Sequence, residues 1–192
     1  MQSFRCALLA VATAALCQAA LAAPVNFAGT LSAADPTYNR VQSGNPPTLL
    51  SAIGTNVSYD VYAFTVSLTD TYSVGTLSAA FTTGTPDDTF ITIYQNLFNP
   101  AAALTNAVQA DDDAGPGGLS FISRSLTAGT SYFLVVTSFD NGQRGDYTGQ
   151  FNTTGNGSVV IGGGGTIPTP STLALVPLAL AGLALTRRRR TA

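Results

Sequence analysis

From residue 23 to residue 160, apolar positions recur with a period of two in short runs separated by Gly, Pro, Asn, Asp and Ser. This is the rhythm of half-buried strands, and no stretch keeps the 3.6-residue spacing of an amphipathic helix. The frequent Gly, Thr, Ser, Asn and Asp also disfavour helix interiors, each for its own reason. Residues 60–67 set Tyr62, Phe64 and Val66 on one face, and residues 71–77 follow after a turn at 68–70. Residues 88–94 place Thr89, Ile91 and Ile93 opposite Phe90, Thr92 and Tyr94. Residues 119–126 and 130–139 are separated by Thr127-Ala128-Gly129, a length suited to a hairpin. Within the second of these, Tyr132 to Val136 is apolar on both faces, which predicts a central strand. Residues 145–151 return after the turn Asp140-Asn141-Gly142, with Tyr147 and Phe151 on one side. With weaker strands near Leu49 and Leu104, the expectation is an all-β fold: an antiparallel β-sandwich or jelly roll of about seven to nine strands. No internal repeat suggests a solenoid or propeller.

Charge changes the picture because it is segregated. All eight positive residues are Arg and all ten acids are Asp; the 192-residue chain has no Glu, Lys, His or Trp. Four Arg fall at 187–190, so residues 23–166 hold three Arg against ten Asp, a net −7. Such a body lacks the basic face that nucleic acid requires. Both cysteines, Cys6 and Cys17, lie in the first 17 residues. Zinc sites of Cys and His, Cys or His catalysis, and Lys Schiff bases are therefore excluded from the body.

The two ends read as addresses. Residues 1–22 have the form of a secretory signal peptide. Arg5 is the positive start, an uncharged apolar run covers 6–16, and Ala20-Leu21-Ala22 supplies the small-x-small site for a signal peptidase. Removal of that segment leaves no cysteine, so the fold rests on its core even in an oxidising compartment. At the other end a Gly-rich linker, 161–167, precedes a tail, 168–192. Its uncharged stretch 171–186 has 16 residues, roughly 24 Å as a helix, against a bilayer core of roughly 30 Å. Arg187, Arg188, Arg189 and Arg190 would stay on the cytoplasmic side, which orients the body outward.

Pro168-Thr169-Pro170-Ser171, the Ala/Leu/Gly-rich segment and the Arg cluster, in that order, resemble the PEP-CTERM sorting signal of Gram-negative bacteria. The likeness covers residues 167–190; Thr169 stands where the family usually has Glu. It implies transient attachment to the inner membrane, recognition by an exosortase, and delivery to the cell envelope, cell surface or an exopolysaccharide matrix. A plain membrane anchor is the other reading of the same tail.

The body, over about residues 58–151, resembles bacterial pre-peptidase C-terminal domains. The likeness rests on the runs 60–66 and 88–94, the acidic segment 110–115, and the runs 126–132 and 139–147. It implies a β-sandwich that tolerates or binds calcium and is found on secreted proteases; some such domains bind matrix polymers. No protease domain accompanies it here.

Asp111, Asp112 and Asp113, followed by Ala114-Gly115-Pro116-Gly117-Gly118, are the strongest chemical constellation. Carboxylates in a flexible turn supply the hard oxygens that Ca²⁺ takes in sets of six to eight. Asp111 and Asp113 point the same way if extended. Asp87 and Asp88 precede a strand that can run beside this loop, which adds Asp88 as a fourth calcium ligand. Asp140 and Asp146 bracket a third acidic turn. Asp equally suits turns and keeps an exported protein soluble, so both readings stand.

A non-enzymatic structural or adhesive role is expected, since no His or Lys is present to activate Ser or Thr. An exopolysaccharide-binding module is the alternative, with Tyr38, Tyr59, Phe98 and Phe139 as platform candidates for which core packing competes. An Asp-dependent hydrolase is remote.

Overall fold

The computed structural model describes residues 22–82 and 88–162. Ala20, Asp87, the sorting motif at 168–171 and the Arg cluster lie outside the described residues. Among the described residues there are ten strands: β1 Val25–Leu31, β2 Thr37–Tyr38, β3 Val57–Val66, β4 Asp70–Phe81, β5 Thr89–Gln95, β6 Ala107–Asp111, β7 Phe121–Leu126, β8 Tyr132–Ser138, β9 Gly145–Thr153 and β10 Val159–Ile161. They form two antiparallel sheets. One runs β1-β9-β4-β7; the other runs β10-β3-β8-β5-β6, with β2 paired to the start of β3. The expected all-β class is therefore the observed one. Among the described residues no helix is long and apolar enough to cross a membrane.

The period-two pattern explains the main core. Phe64 and Val66 from β3, Ile91 and Ile93 from β5, and Tyr147 and Phe151 from β9 meet between the sheets. Phe151 packs its ring 4.8 Å from that of Phe64 and 5.5 Å from that of Phe27. Gly149, between Tyr147 and Phe151, makes room for the Phe27 ring, onto which a Cβ would fall.

The six-stranded sheet is buried on its other face as well. Phe90, Tyr94, Phe133 and Val135 pack there against Tyr38, Val41 and Phe98 from the segments around β2 and after β5. A second apolar layer accounts for the double-sided apolar sequence of β8, which lies between β3 and β5 as expected. It also claims two of the aromatics considered as glycan platforms. Tyr38 and Phe98 are buried, with ring centroids 5.4 Å apart, and Tyr59 packs edge-on against both.

Three local expectations are corrected. The turn at 127–129 does not close a hairpin: β7 pairs with β4 in one sheet and β8 with β3 and β5 in the other. The chain arches between layers there because Leu126 and Tyr132 both turn into the intersheet core. Near Leu49 there is only an isolated bridge, Val41 to Leu50, and Leu49 and Leu50 are exposed, so that segment has no apolar face to bury. The strand expected near Leu104 is β6, which begins at Ala107; Pro100–Ala102 instead forms a one-turn 3-10 helix capped by Asn99.

A candidate cation site at one end of the six-stranded sheet

Antiparallel pairing of β5 with β6 sets Ile91 opposite Asp111, so the residues just past Asp111 arrive beside Asp88 at the start of β5. The chain then turns through 112–118. Gly115 is required by close approach, since its N–H donates to the Leu119 carbonyl at 2.7 Å and a Cβ would strike that carbonyl. Gly117 takes φ +70, a left-handed conformation that L side chains rarely adopt.

This turn separates the four expected ligands. Carboxylate oxygens of Asp88, Asp112 and Asp113 lie within 4.8 Å of one another. Asp111 is not with them. Its Oδ2 accepts from the Ala114 N–H at 3.0 Å and the Phe121 N–H at 2.8 Å, which holds the turn closed. The extended geometry that would align Asp111 with Asp113 ends at Asp111, the last residue of β6. Asp140 stays exposed, and Asp146 accepts from the Thr30 hydroxyl at 2.6 Å.

Arg40 forms the floor of the site, and nothing in the sequence pattern singled it out. It is 2 % exposed. Nε and Nη2 donate to the Phe139 carbonyl at 3.1 and 2.8 Å, and Nη1 donates to the Val41 carbonyl at 3.0 Å. The guanidinium carbon sits 3.9 Å from the centroid of Phe90 and 4.8 Å from that of Phe139. Phe139 is thereby taken from the set of free aromatic platforms. The segment carrying Arg40 is fixed by Ser51 N–H to the Arg40 carbonyl and Arg40 N–H to the Gly54 carbonyl, and by paired bonds between Gly44 and Ala110.

The electrostatics follow from this packing. Burial raises the Asp112 carboxyl to about 7, with Asp113 and Asp88 adding to the rise and Arg40 opposing it. Burial and Asp113 likewise raise Asp88, again against Arg40. Arg40 is lowered by burial, and the nearby carboxylates Asp112, Asp88 and Asp140 oppose that. Asp112 Oδ1 is buried and accepts no hydrogen bond. Three carboxylates and one guanidinium leave a formal −2, the charge that one divalent cation balances.

The donor set is oxygen only. That suits Ca²⁺, Mg²⁺ or Mn²⁺ rather than metals that prefer imidazole or thiolate. Three carboxylates supply three to six oxygens, and Ca²⁺ fills the rest of its shell with carbonyls or water. A pocket of about 230 Å³ opens beside the triad, lined by Arg40, Gln42, Ser51, Ile53, Asp112 and Phe139.

A second buried polar group spans the sheets. Tyr147 donates to Asp60 Oδ2 at 2.6 Å, and the Tyr62 and Tyr147 hydroxyls are 2.7 Å apart. Burial raises both Asp60 and Tyr147. The bonds tie β3 to β9, and a Cβ at Gly29 would fall on the Tyr147 hydroxyl.

No family model matches the chain, and no curated protein matches it in sequence.

Proposed function

We infer that this protein is an exported, non-enzymatic module of the cell envelope or extracellular matrix, whose acidic end is stiffened by Ca²⁺. The observation that carries the calcium part is the convergence of Asp88, Asp112 and Asp113 around a buried carboxylate oxygen without a hydrogen-bond donor. In a well-packed protein such a group calls for an ion or water. Bound Ca²⁺ joins the start of β5 to the loop after β6, and through Arg40 and Phe139 to the end of β8. It locks the loops at this end without performing chemistry.

Export and sorting are supported by the two ends of the chain. The signal-peptide-like residues 1–22 direct secretion, and the PEP-CTERM-like tail attaches the protein to the inner membrane until an exosortase-type enzyme processes it. The direct test of the site is isothermal titration of the purified chain with CaCl₂. One saturable equivalent, lost in Asp113→Asn, supports the reading. Absence of binding at millimolar Ca²⁺, or binding unchanged in Asp113→Asn, rejects it.

A further inference from the structure

The outward face of the four-stranded sheet carries a row of residues that the cation site does not use. Phe121 on β7 stands opposite Gly75 on β4, Gly75 opposite Gln150 on β9, and Gln150 opposite Asn26 on β1. The row crosses the whole sheet, roughly 14 Å at about 4.8 Å per strand. Phe121 is 41 % exposed, and it is the one exposed aromatic among the described residues. Its ring reaches over Gly75, where a Cβ would come within 3.0 Å of Phe121 Cδ2. A glycine inside a strand marks a place of close approach, and here it leaves a step between the ring and the amides.

A β-bulge deepens this step. The register of β4 on β9 shifts between Thr76 and Ser78, which turns Leu77 outward, 57 % exposed. Leu77, Thr148, Gln150, Phe27, Ala28 and Asn26 line a groove of about 480 Å³, and Phe121 stands beside it, across Gly75. Two hydrogen-bonded polar pairs lie along it. Gln150 Nε2 donates to Asn26 Oδ1 at 2.8 Å, and the Ser78 and Thr148 hydroxyls are 2.7 Å apart. Those bonds leave the Gln150 oxygen and the Asn26 amide nitrogen for a ligand.

We propose that this groove binds an uncharged polysaccharide strand. A sugar ring has an apolar C–H face that stacks on an aromatic ring and a rim of hydroxyls that amides bond. Phe121 and Leu77 provide the first kind of contact, Gln150, Asn26 and Thr148 the second. Charge decides against an acidic polymer. Asp146, bonded to Thr30, is the one ionisable residue among the outward positions of these strands, and no cation is among them. A uronate or phosphate chain would bring negative charge to a body already at −7 with nothing on this face to balance it. The proposal rests on the reading of the protein as a matrix module and supplies that module with a partner. It does not involve the calcium ligands.

The test is affinity electrophoresis of the purified full chain through gels containing hydroxyethyl cellulose, a soluble β-1,3-glucan, dextran or alginate, all with chelator. Retardation by at least one neutral polymer is expected, with affinity falling about tenfold in Phe121→Ala and in Gln150→Leu. Leu77→Asp, at the bulge of β4, should act likewise, and melting curves confirm that each variant folds. No neutral polymer retarding the chain, retardation by alginate alone, or binding indifferent to all three variants would overturn the proposal. So would a dimer that Phe121→Ala dissolves, since the face would then be a contact between copies. Failure here with calcium binding intact rejects the groove alone; failure of calcium binding leaves the groove standing.

Discussion

Replacing Asp112 by Asn should make the protein more stable without calcium and less stable with it. The carboxyl is raised from 3.8 to about 7, so its charged form is disfavoured in the folded chain. At ~1.4 kcal/mol per unit the full shift would be worth about 4 kcal/mol. Asp112 is only half-buried, and solvent screening reduces this to about 1–2 kcal/mol. An unfolding entropy of ~2.1 cal/mol/K per residue over about 140 residues gives ~0.3 kcal/mol/K, so Asn at 112 should raise Tm by about 3–7 °C in chelator. Wild type at 100 times Kd should gain about 2.7 kcal/mol from Ca²⁺, roughly 9 °C, and the variant little. The two proteins should therefore change rank when calcium is added. The pH dependence has a definite sign. Because the folded pKa lies above the unfolded one, Asp112 costs nothing below about pH 4. Its penalty grows as pH rises and is complete above about 7. In chelator, wild-type stability should fall across that window, and Asp112→Asn should remove part of the fall. Scanning calorimetry at several pH values, with EGTA or CaCl₂, reads all of this. A variant less stable than wild type in both conditions would refute the reasoning, since Asp112 would then be an ordinary structural acceptor.

Four further outcomes rest on the packing. Arg40→Met should cost about 3 kcal/mol or more in urea unfolding, because it strands the Phe139 and Val41 carbonyls and removes the cation beside the triad. Arg40→Lys should recover only part of this loss, as the fork to Phe139 is gone. Phe151→Ala, which empties the space between Phe27 and Phe64, should cost about 3–5 kcal/mol by the same measurement. Tyr147→Phe should cost about 1.5–3 kcal/mol by leaving the Asp60 carboxylate without its 2.6 Å donor, with a smaller loss at pH 3, where Asp60 is protonated.

Strands whose side chains serve one core were legible from period-two alternation alone. Tyr62, Phe64 and Val66, or Tyr147 and Phe151, declare a face without reference to any partner. The double-sided run at 132–136 likewise declared a strand covered on both faces, although the sequence does not say what covers it. That cover is the irregular segment around Tyr38 and Val41, whose order comes from long-range bonds such as Gly44 to Ala110. β2 and β10, with two and three residues, are strands only because β3 offers an edge to each. Sheet membership was illegible for a related reason: a three-residue turn can close a hairpin or arch between layers, and core packing on either side decides. At the candidate site, proximity of Asp88 to the acidic loop followed from strand pairing and could be read. The exchange of roles between Asp111 and its neighbours depends on where β6 stops. Arg40 shares its place in an acidic body with Arg124 and Arg144, so charge does not single it out, and no local spacing connects it to residues 48 to 73 positions away.

We propose that this sandwich works outside the cell after a brief stay at the inner membrane. The most direct test is the intact mass of the protein recovered from membrane and medium fractions of its native host. A released species that lacks residues 1–22 and the tail beyond about Pro168 is expected. A single membrane-bound species that retains Arg187 to Arg190 would contradict sorting and release, and a species that retains residues 1–22 would contradict export through a cleaved signal.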